Sequence, residues 1–269
     1  MDTDRNVRAT LKQLPSQGLF MKTILITGCS SGFGLEIARF FLERDWKVIA
    51  TMRTPKEGIL PASPNLRVIP LDVTDEDSII KAVELAGPID VLVNNAGIGM
   101  ASPVETSSLE TMRDVFETNT FGTIAMTQAF LPQFRERKSG VIVNVTSSVT
   151  LKTLPLVSLY TASKAAVNAF TECLALELQQ FGVRACLVLP GRAPETPFAA
   201  NGRDRMKGLD HEAYAELTKN LFASFSETGP ITRSADVAEA VWRTVNDPSC
   251  PIKLPAGEDA VAWANNSKT

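Results

Sequence analysis

The stretch TILITGCSSGFGLEIARFFLE, residues 23–43, decides the fold of this chain. A short apolar run typical of a buried strand leads through three glycines into an amphipathic helical pattern. Glycines at such a junction let the backbone turn tightly and approach a pyrophosphate, while the helix start offers free N–H groups and a partial positive charge. The stretch therefore predicts a strand, a phosphate-binding loop with Gly28, Gly32 and Gly34, and a helix.

The same alternation continues along the chain. Further apolar runs of strand length occur at 47–52, 66–71, 90–95, 140–145 and 183–189. Amphipathic patterns predict helices at 34–44, 75–86, 109–137, 160–181 and 234–246. The runs are continuously apolar, which indicates strands covered on both faces. These features predict a single-domain α/β fold: a Rossmann-type, doubly wound parallel sheet of about seven strands, flanked by helices.

Domain boundaries follow from composition. Residues 1–20 are polar and predict a poorly ordered extension, 21–257 are expected to form the Rossmann-fold domain, and 258–269 are expected to be a C-terminal tail. The segment 192–229 breaks the alternation after the sixth predicted strand. Insertions at the carboxyl end of a strand often form lids, so we expect a substrate-binding lid there, with a surface excursion as the alternative.

Charge and cysteine content limit the partners. The 269 residues have a net charge of −3 and a pI near 5.4, which gives no bulk attraction to nucleic acid or an anionic membrane and favours a small-molecule substrate. Four scattered cysteines and the lone His211 cannot form a Cys/His zinc set, so no metal site is expected. The sequence has no basic, apolar leader and no run of about 18 apolar residues, which predicts a cytoplasmic protein without a membrane span.

The end of the second predicted strand bears on the choice of dinucleotide. An acidic residue there would bond the adenosine ribose, whereas an arginine accommodates a 2′-phosphate. This strand ends in Met52 and Arg53, without a carboxylate. We therefore expect NADP(H) to be preferred over NAD(H), with Ser30 assisting Arg53. The alternative is that Arg53 is a solvated charge.

Seven motifs occur in order along residues 21–257. They are TGCSSGFG at 27–34, LDV with Asp72, NNAG at 94–97, Asn119 in ETNTFG, Ser147 in NVTSS, YTASK at 160–164 and LPG at 189–191. Together they resemble the motifs of the short-chain dehydrogenase/reductase family, and the hydrophobic-substrate members such as hydroxysteroid and retinol dehydrogenases most of all.

The resemblance implies roles for these positions. Asn119, Ser147, Tyr160 and Lys164 would form the catalytic tetrad, and Ser147 is preferred to Ser148 because the family's serine lies thirteen positions before its tyrosine. Asp72 would contact adenine, Lys164 would hold the nicotinamide ribose, and Asn119 would anchor a water. The full set of implied cofactor contacts is Gly28, Ser30, Ser31, Gly32, Phe33, Gly34, Arg53, Asp72, Val73, Asn95, Ala96, Gly97, Tyr160, Lys164, Pro190 and Gly191.

The spacing of Tyr160 and Lys164 places both side chains on one helix face. A lysine ammonium about 4 Å from a phenol, at an effective dielectric constant of about 20, favours the phenolate by roughly 4 kcal/mol, or about 3 pKa units. We therefore expect Lys164 to lower the pKa of Tyr160 toward neutrality. Tyr160 would then exchange a proton with a carbonyl oxygen to which Ser147 also donates a hydrogen bond.

The loop after the sixth strand departs from the family pattern PGxxxT. This chain reads PGRAPETPF, with Pro194 and one additional residue before Thr196. The departure leaves the cofactor contacts of residues 192–196 open.

The substrate is expected to be a hydrophobic ketone or secondary alcohol, by family resemblance and because several apolar residues could line a pocket: Leu154, Leu156, Phe198, Leu221 and Phe222. One alternative is reduction of a 3-oxoacyl group on an acidic carrier protein that meets Arg203, Arg205 and Lys207. Another is a non-catalytic NADP(H)-sensing protein, which would have little need of the tetrad. A homodimer or homotetramer is expected through helices 109–137 and 160–181, where Ala165, Ala166 and Ala169 would allow close packing.

Overall fold

The computed structural model describes residues 21–226 and 229–266. The predicted extension 1–20 therefore lies outside the described residues, as do 227–228 of the predicted lid and 267–269 of the predicted tail. Seven strands form one sheet: β1 (Thr23–Ile26), β2 (Lys47–Met52), β3 (Leu66–Pro70), β4 (Val91–Asn94), β5 (Gly140–Val145), β6 (Val183–Pro190) and β7 (Lys253–Ala256).

Every strand pair in this sheet is parallel, and the order is β3-β2-β1-β4-β5-β6-β7. Nine α-helices accompany it within the described residues: α1 (Gly32–Leu42), α2 (Glu76–Ala86), α3 (Leu109–Phe116), α4 (Gly122–Arg137), α5 (Ser158–Leu178), α6 (Phe198–Asn201), α7 (Ala215–Ser226), α8 (Ser234–Asn246) and α9 (Glu258–Asn266). The predicted Rossmann-type fold is confirmed.

The sheet separates two hydrophobic cores, because successive side chains of a strand point to opposite faces. In β1, Ile24 and Ile26 pack in a core with residues of α1 and α8, whereas Leu25 packs in the other core with residues of α2, α4 and α5. All three side chains are fully buried. Burial on both faces explains why the strands are continuously apolar in sequence.

The predicted helix 109–137 is interrupted at one point. A π-helical turn, Glu117–Phe121, joins α3 to α4 and contains Asn119. Such wide turns inside α-helices occur frequently at functional sites. The segment expected as a tail also has structure, because α9 occupies Glu258–Asn266.

The strand order reverses between β1 and β4, which are neighbours in the centre of the sheet. In open parallel sheets, ligands bind at the carboxyl ends of the strands beside such a reversal. The segments that follow β1, β4, β5 and β6 all lie at this edge, and they contain most of the predicted site residues. Within the described residues, no helix is both long enough and apolar enough to cross a bilayer.

Candidate active site

The glycine loop after β1 is tied to the segment after β4. The Thr27 hydroxyl oxygen accepts hydrogen bonds from the backbone N–H groups of Asn95 and Ala96, each at 2.9 Å. In return, the Asn95 side chain donates to the carbonyl oxygens of Thr27, at 2.9 Å, and Gly28, at 3.3 Å. These bonds hold together the segments that follow β1 and β4, the two strands between which the strand order reverses.

Close backbone approach requires glycine at two loop positions. Gly28 has a φ of 75°, and a Cβ there would lie 2.9 Å from the Cα of Ala96. A Cβ at Gly34 would lie 2.4 Å from the carbonyl oxygen of Gly28. At the start of α1, Ser31 makes no side-chain capping bond and the first turn has no acidic residue. This helix start therefore suits a phosphate group, which accepts hydrogen bonds from backbone amides.

The residues predicted to select the dinucleotide lie at the same edge. The N–H of Cys29 donates to the carbonyl oxygen of Thr51 at 2.8 Å, which joins the glycine loop to the end of β2. Ser30 and Arg53 are exposed there, and Arg53 forms no ion pair with any residue in the described part of the chain. The guanidinium is thus available to an anionic ligand.

Two further predicted contacts follow β3. The Asp72 carboxylate accepts hydrogen bonds from the backbone N–H of Thr74, at 3.0 Å, and from its hydroxyl, at 2.8 Å. Val73 is buried against the start of α4. A Cβ built on Gly122 would lie 2.8 Å from the Cγ2 atom of Val73. Asp72 and Val73 therefore have fixed positions at the edge of the cleft.

Asn119, on the π-helical turn, is fully buried and connects two segments. Its Oδ1 accepts from the N–H of Ile98 at 2.8 Å, and its Nδ2 donates to the carbonyl oxygen of Ile98 at 3.0 Å. The same Nδ2 donates to Ser163 Oγ on α5 at 3.1 Å. Asn119 thereby holds the end of the NNAG segment against the helix that contains Tyr160 and Lys164.

The other three tetrad residues meet beside this point. Ser147 follows β5, and its hydroxyl lies close enough to Tyr160 to lower the pKa of the phenol. Lys164 Nζ donates to the carbonyl oxygen of Val145 at 3.2 Å. A Cβ placed on Gly97 would lie 3.1 Å from Asn119 Oδ1 and 3.2 Å from Lys164 Nζ. The structure therefore brings together all four residues predicted as the tetrad.

The expected effect of Lys164 on Tyr160 is wrong for the cofactor-free chain. Burial raises the pKa of Tyr160 from 10.0 to about 12, and the hydrogen bond from Ser147 offsets part of this rise. Burial also lowers the pKa of Lys164 from 10.5 to about 8. The reason is that a buried site disfavours the charged form of each group, the phenolate of Tyr160 and the ammonium of Lys164.

The lowered pKa of Lys164 predicts a pH-dependent stability. A lowered pKa in the folded state gives a stabilising contribution that is fully present above pH 10.5 and is lost as the pH falls through about 8. Between these values, the unfolding free energy of the cofactor-free protein should rise with pH relative to that of Lys164→Met. Tyr160 is common to both proteins and cancels. Urea unfolding across this range measures the difference, and parallel curves would contradict the lowered pKa.

The unusual loop after β6 returns to the cleft. Thr196 lies beside the glycine loop, with its Cβ 3.6 Å from the position of a Cβ on Gly32. The Phe198 ring lies 6.0 Å from the Tyr160 ring, centroid to centroid. A Cβ at Gly99 would lie only 2.7 Å from Phe198 Cε1. Phe198 thus packs over the segment after β4, next to the tetrad.

The predicted apolar pocket residues divide into two groups. Leu156 and Leu221 are buried in one cluster with Leu154 packed against them, which holds α7 over the loop before α5. Phe198 and Phe222 are 39% and 48% exposed, respectively.

The charged and titratable lid residues lie outside this cluster. Arg203 and Lys207 are exposed and Arg205 is half-buried. His211 is exposed, and its Nδ1 accepts from the N–H of Ala213 at 3.2 Å, which is a local turn contact. Among residues 21–226 and 229–266, no group of three or more His, Cys, Asp or Glu side chains is arranged to hold a metal ion.

Some residues of the site did not emerge from the sequence. Thr27 is the first residue of the glycine motif TGxxxGxG. The motif could therefore have pointed to Thr27, whose hydroxyl oxygen accepts the bonds from Asn95 and Ala96. Thr232 and Asp259 contact the loop after β6 across more than 40 residues of sequence separation, and no local pattern marks them. The constraint on Gly99 likewise comes from a lid residue distant in sequence.

Known proteins are similar to this chain over most of its length. Residues 22–207 match the family model for short chain dehydrogenases. Retinol dehydrogenase 8 of Homo sapiens is 40% identical over 255 residues, covering 86% of this chain and 80% of that protein.

Several solved structures are similar to this chain in fold and in sequence. A short-chain dehydrogenase from Streptomyces avermitilis has a TM-score of 0.78 and 32% identity, with 91% of each chain covered. A serine dehydrogenase complexed with NADP⁺ has a TM-score of 0.74 and 30% identity, over 88% of this chain and 95% of that one. A 3-ketoacyl-(acyl-carrier-protein) reductase from Brucella melitensis, complexed with NADH, has a TM-score of 0.73 and 27% identity, over 87% and 96%. The family model and these similarities identify the chain as a member of the short-chain dehydrogenase/reductase family.

Proposed function

We propose that this oxidoreductase is an NADP(H)-dependent alcohol dehydrogenase/ketone reductase that acts on a hydrophobic ketone or secondary alcohol. The observation on which the proposal rests is the convergence of Ser147, Tyr160, Lys164 and Asn119 at the carboxyl edge of the sheet, next to the glycine loop. A non-catalytic NADP(H) sensor would not need this set of side chains.

The cofactor, when bound, supplies or accepts the hydride. Uncapped amides at the start of α1 and the glycine loop would hold the pyrophosphate. Arg53 and Ser30 would bind a 2′-phosphate, and Asp72 and Val73 would border the adenine. The preference for NADP(H) rests on Arg53, because structural neighbours have been crystallised with NADP⁺ and with NADH. The remaining contacts are proposed for Ser31, Phe33, Asn95, Ala96, Gly97, Tyr160, Lys164, Pro190 and Gly191.

In the reductive direction, the substrate carbonyl oxygen would accept hydrogen bonds from Ser147 and Tyr160. The raised pKa of Tyr160 keeps the phenol protonated, so it can donate the proton that the reduced oxygen needs. The Lys164 ammonium, with its pKa near 8, is the stronger acid and can return a proton to the phenolate. Asn119 would anchor a water that reprotonates Lys164.

The hydrophobic substrate is supported by two features. Phe198 and Phe222 present exposed rings on the lid, and Phe198 lies beside Tyr160. A relative that is 40% identical is a retinol dehydrogenase. The acyl-carrier alternative would use Arg203, Arg205 and Lys207, whose charges lie on the same lid.

A panel of carbonyl compounds tests this proposal: a steroid ketone, retinal, an aryl ketone and an acetoacetyl carrier protein, each with NADPH and followed by nicotinamide absorbance. We expect the hydrophobic compounds to be reduced and the carrier substrate to be poor. Phe198→Ala should raise the KM for hydrophobic compounds by about tenfold, because apolar contact is lost. Leu85→Ala, on α2 and also exposed, is the matched control.

Other outcomes distinguish the alternatives. Preferential reduction of the acetoacetyl carrier would favour the acyl-carrier reductase. Tight NADPH binding without turnover of any compound would favour the sensor.

We also propose that the protein is a homodimer or homotetramer assembled through α4 and α5. Ala165 and Ala169 are exposed on α5, Ala166 is half-buried, and Leu176 on the same helix is 75% exposed. Phe121, immediately before α4, is 54% exposed. Burial of such apolar side chains favours association. Light scattering gives the particle mass that decides between monomer and oligomer.

A further inference from the structure

The loop after β6, from Gly191 to Thr196, is fastened to two distant segments. The Gly191 N–H donates to Thr232 Oγ1 at 2.8 Å, and the Arg192 N–H donates to Asp259 Oδ2 at 2.6 Å. The N–H of Thr232 donates in turn to the carbonyl oxygen of Arg192 at 2.8 Å. Further along the loop, Glu195 Oε1 accepts from the N–H of Ser234 at 2.6 Å, at the start of α8. The loop is therefore held by both α8 and α9.

Thr232 and Asp259 form the buried part of this attachment. Thr232 is fully buried and Asp259 is only 6% exposed. The Thr232 hydroxyl lies 2.7 Å from Asp259 Oδ1 and 2.8 Å from the carbonyl oxygen of Ala256. A hydroxyl has one proton, so these acceptors share it while its oxygen accepts from Gly191. Burying a carboxylate is unfavourable unless hydrogen-bond donors satisfy it. Here Oδ1 of Asp259 accepts from the Thr232 hydroxyl, and Oδ2 accepts from the Arg192 N–H.

The same carboxylate restricts position 191 to glycine. A Cβ at this position would lie 2.2 Å from both oxygens of Asp259. The carboxylate thus occupies the space that any other residue type at position 191 would need. Asp259 and the glycine of the LPG motif fit together as a pair, although 68 positions separate them in sequence.

We propose that Asp259, on α9, is a positioning residue that acts together with Thr232 to set the Gly191–Arg192 backbone against the nicotinamide end of the cleft. The inference rests on the proposed function, because the loop's ligand is the proposed cofactor. Asp259 does not touch the reacting atoms. Asp259 determines the position of the Gly191–Arg192 backbone, which borders the reacting atoms.

The test compares Asp259→Asn with Asp90→Asn. The Asp90 carboxylate also accepts a backbone N–H, from Thr23 at 2.7 Å, but at the opposite edge of the sheet. Asp259→Asn removes the negative charge, so the bond from the Arg192 N–H is no longer charge-assisted if the amide carbonyl faces the loop, and it is lost if the amide NH₂ faces the loop. We expect the Kd for NADPH to rise about tenfold and the Kd for 2′,5′-ADP, which lacks the nicotinamide half, to stay within about twofold. Asp90→Asn should change neither.

A second readout does not depend on the cofactor. Trypsin cuts after Arg192, and release of the loop should speed cleavage there about tenfold in Asp259→Asn but not in Asp90→Asn. Thr232→Val should resemble Asp259→Asn, whereas Thr232→Ser keeps the hydroxyl and should behave as the parent.

The outcomes separate the two proposals. If the parent binds NADPH and both aspartate variants bind it and resist trypsin as the parent does, the positioning role is overturned while the proposed function stands. If the parent does not bind NADPH, the proposed function is overturned, and faster cleavage confined to Asp259→Asn and Thr232→Val would still support the anchoring of the loop.

Discussion

Tyr160→Phe is expected to lower kcat for NADPH-dependent reduction of a hydrophobic ketone by about 10²- to 10⁴-fold, the usual contribution of a general acid. The substitution removes only the hydroxyl that we propose as the proton donor, which lies beside Ser147. NADPH affinity should change by less than about fivefold, because one ordinary hydrogen bond is lost. Steady-state rates and NADPH fluorescence titration measure the two effects separately.

The second tyrosine of the chain is the matched control. Tyr214→Phe deletes the same atom from a lid residue that lies beside Glu105 and the His211 ring rather than beside Ser147. This variant should keep most of the parent's rate. If Tyr160→Phe binds NADPH normally and reduces ketones as fast as the parent, the assignment of Tyr160 as the acid is wrong.

Arg53→Asp is expected to reverse or abolish the preference for NADPH over NADH. Loss of a charge-assisted bond to a phosphate is worth about 1.5–3 kcal/mol, which corresponds to roughly 10- to 150-fold in kcat/KM for NADPH. The new carboxylate would also repel the 2′-phosphate and could accept hydrogen bonds from the ribose hydroxyls of NADH. The ratio of kcat/KM for the two cofactors should therefore fall by about 10²-fold or more.

A general charge effect has to be separated from a specific contact. Lys56→Asp makes the same change in charge on an exposed side chain of the same loop. Only Arg53→Asp should change the cofactor ratio strongly, and added salt should not remove the difference because a direct contact is screened little. An unchanged ratio in Arg53→Asp would refute the argument for NADP(H).

The fold was predictable in unusual detail because its signals are local. Strands β2 and β5 and helix α8 begin and end at the predicted residues, 47–52, 140–145 and 234–246, and the other strands predicted by position agree within one residue at each end. Continuous apolar runs, amphipathic periodicity and glycines at a strand–helix junction are all readable within a few residues. The seventh strand, Lys253–Ala256, was expected only as part of the strand count, because a half-buried KLPA segment has no strong strand pattern.

The electrostatics of the tetrad could not be predicted in the same way. The four-residue spacing correctly indicates that Tyr160 and Lys164 share a helix face. Their burial depends on the packing of β5, the π-helical turn and the lid around them, and burial reverses the expected direction of the Tyr160 pKa. An estimate from charge separation alone omits the desolvation that dominates here.

From the sequence alone the parallel sheet could be inferred, and the glycine loop and the four tetrad positions could be predicted, because each motif is readable within a few neighbouring residues. The tertiary structure was needed to show how deeply Tyr160 and Lys164 are buried, where Phe198 lies over the cleft, and how Asp259 fastens the loop after β6. These last features depend on contacts between segments distant in sequence. Their energies come from exclusion of water and from donor–acceptor pairs that form only when the segments meet.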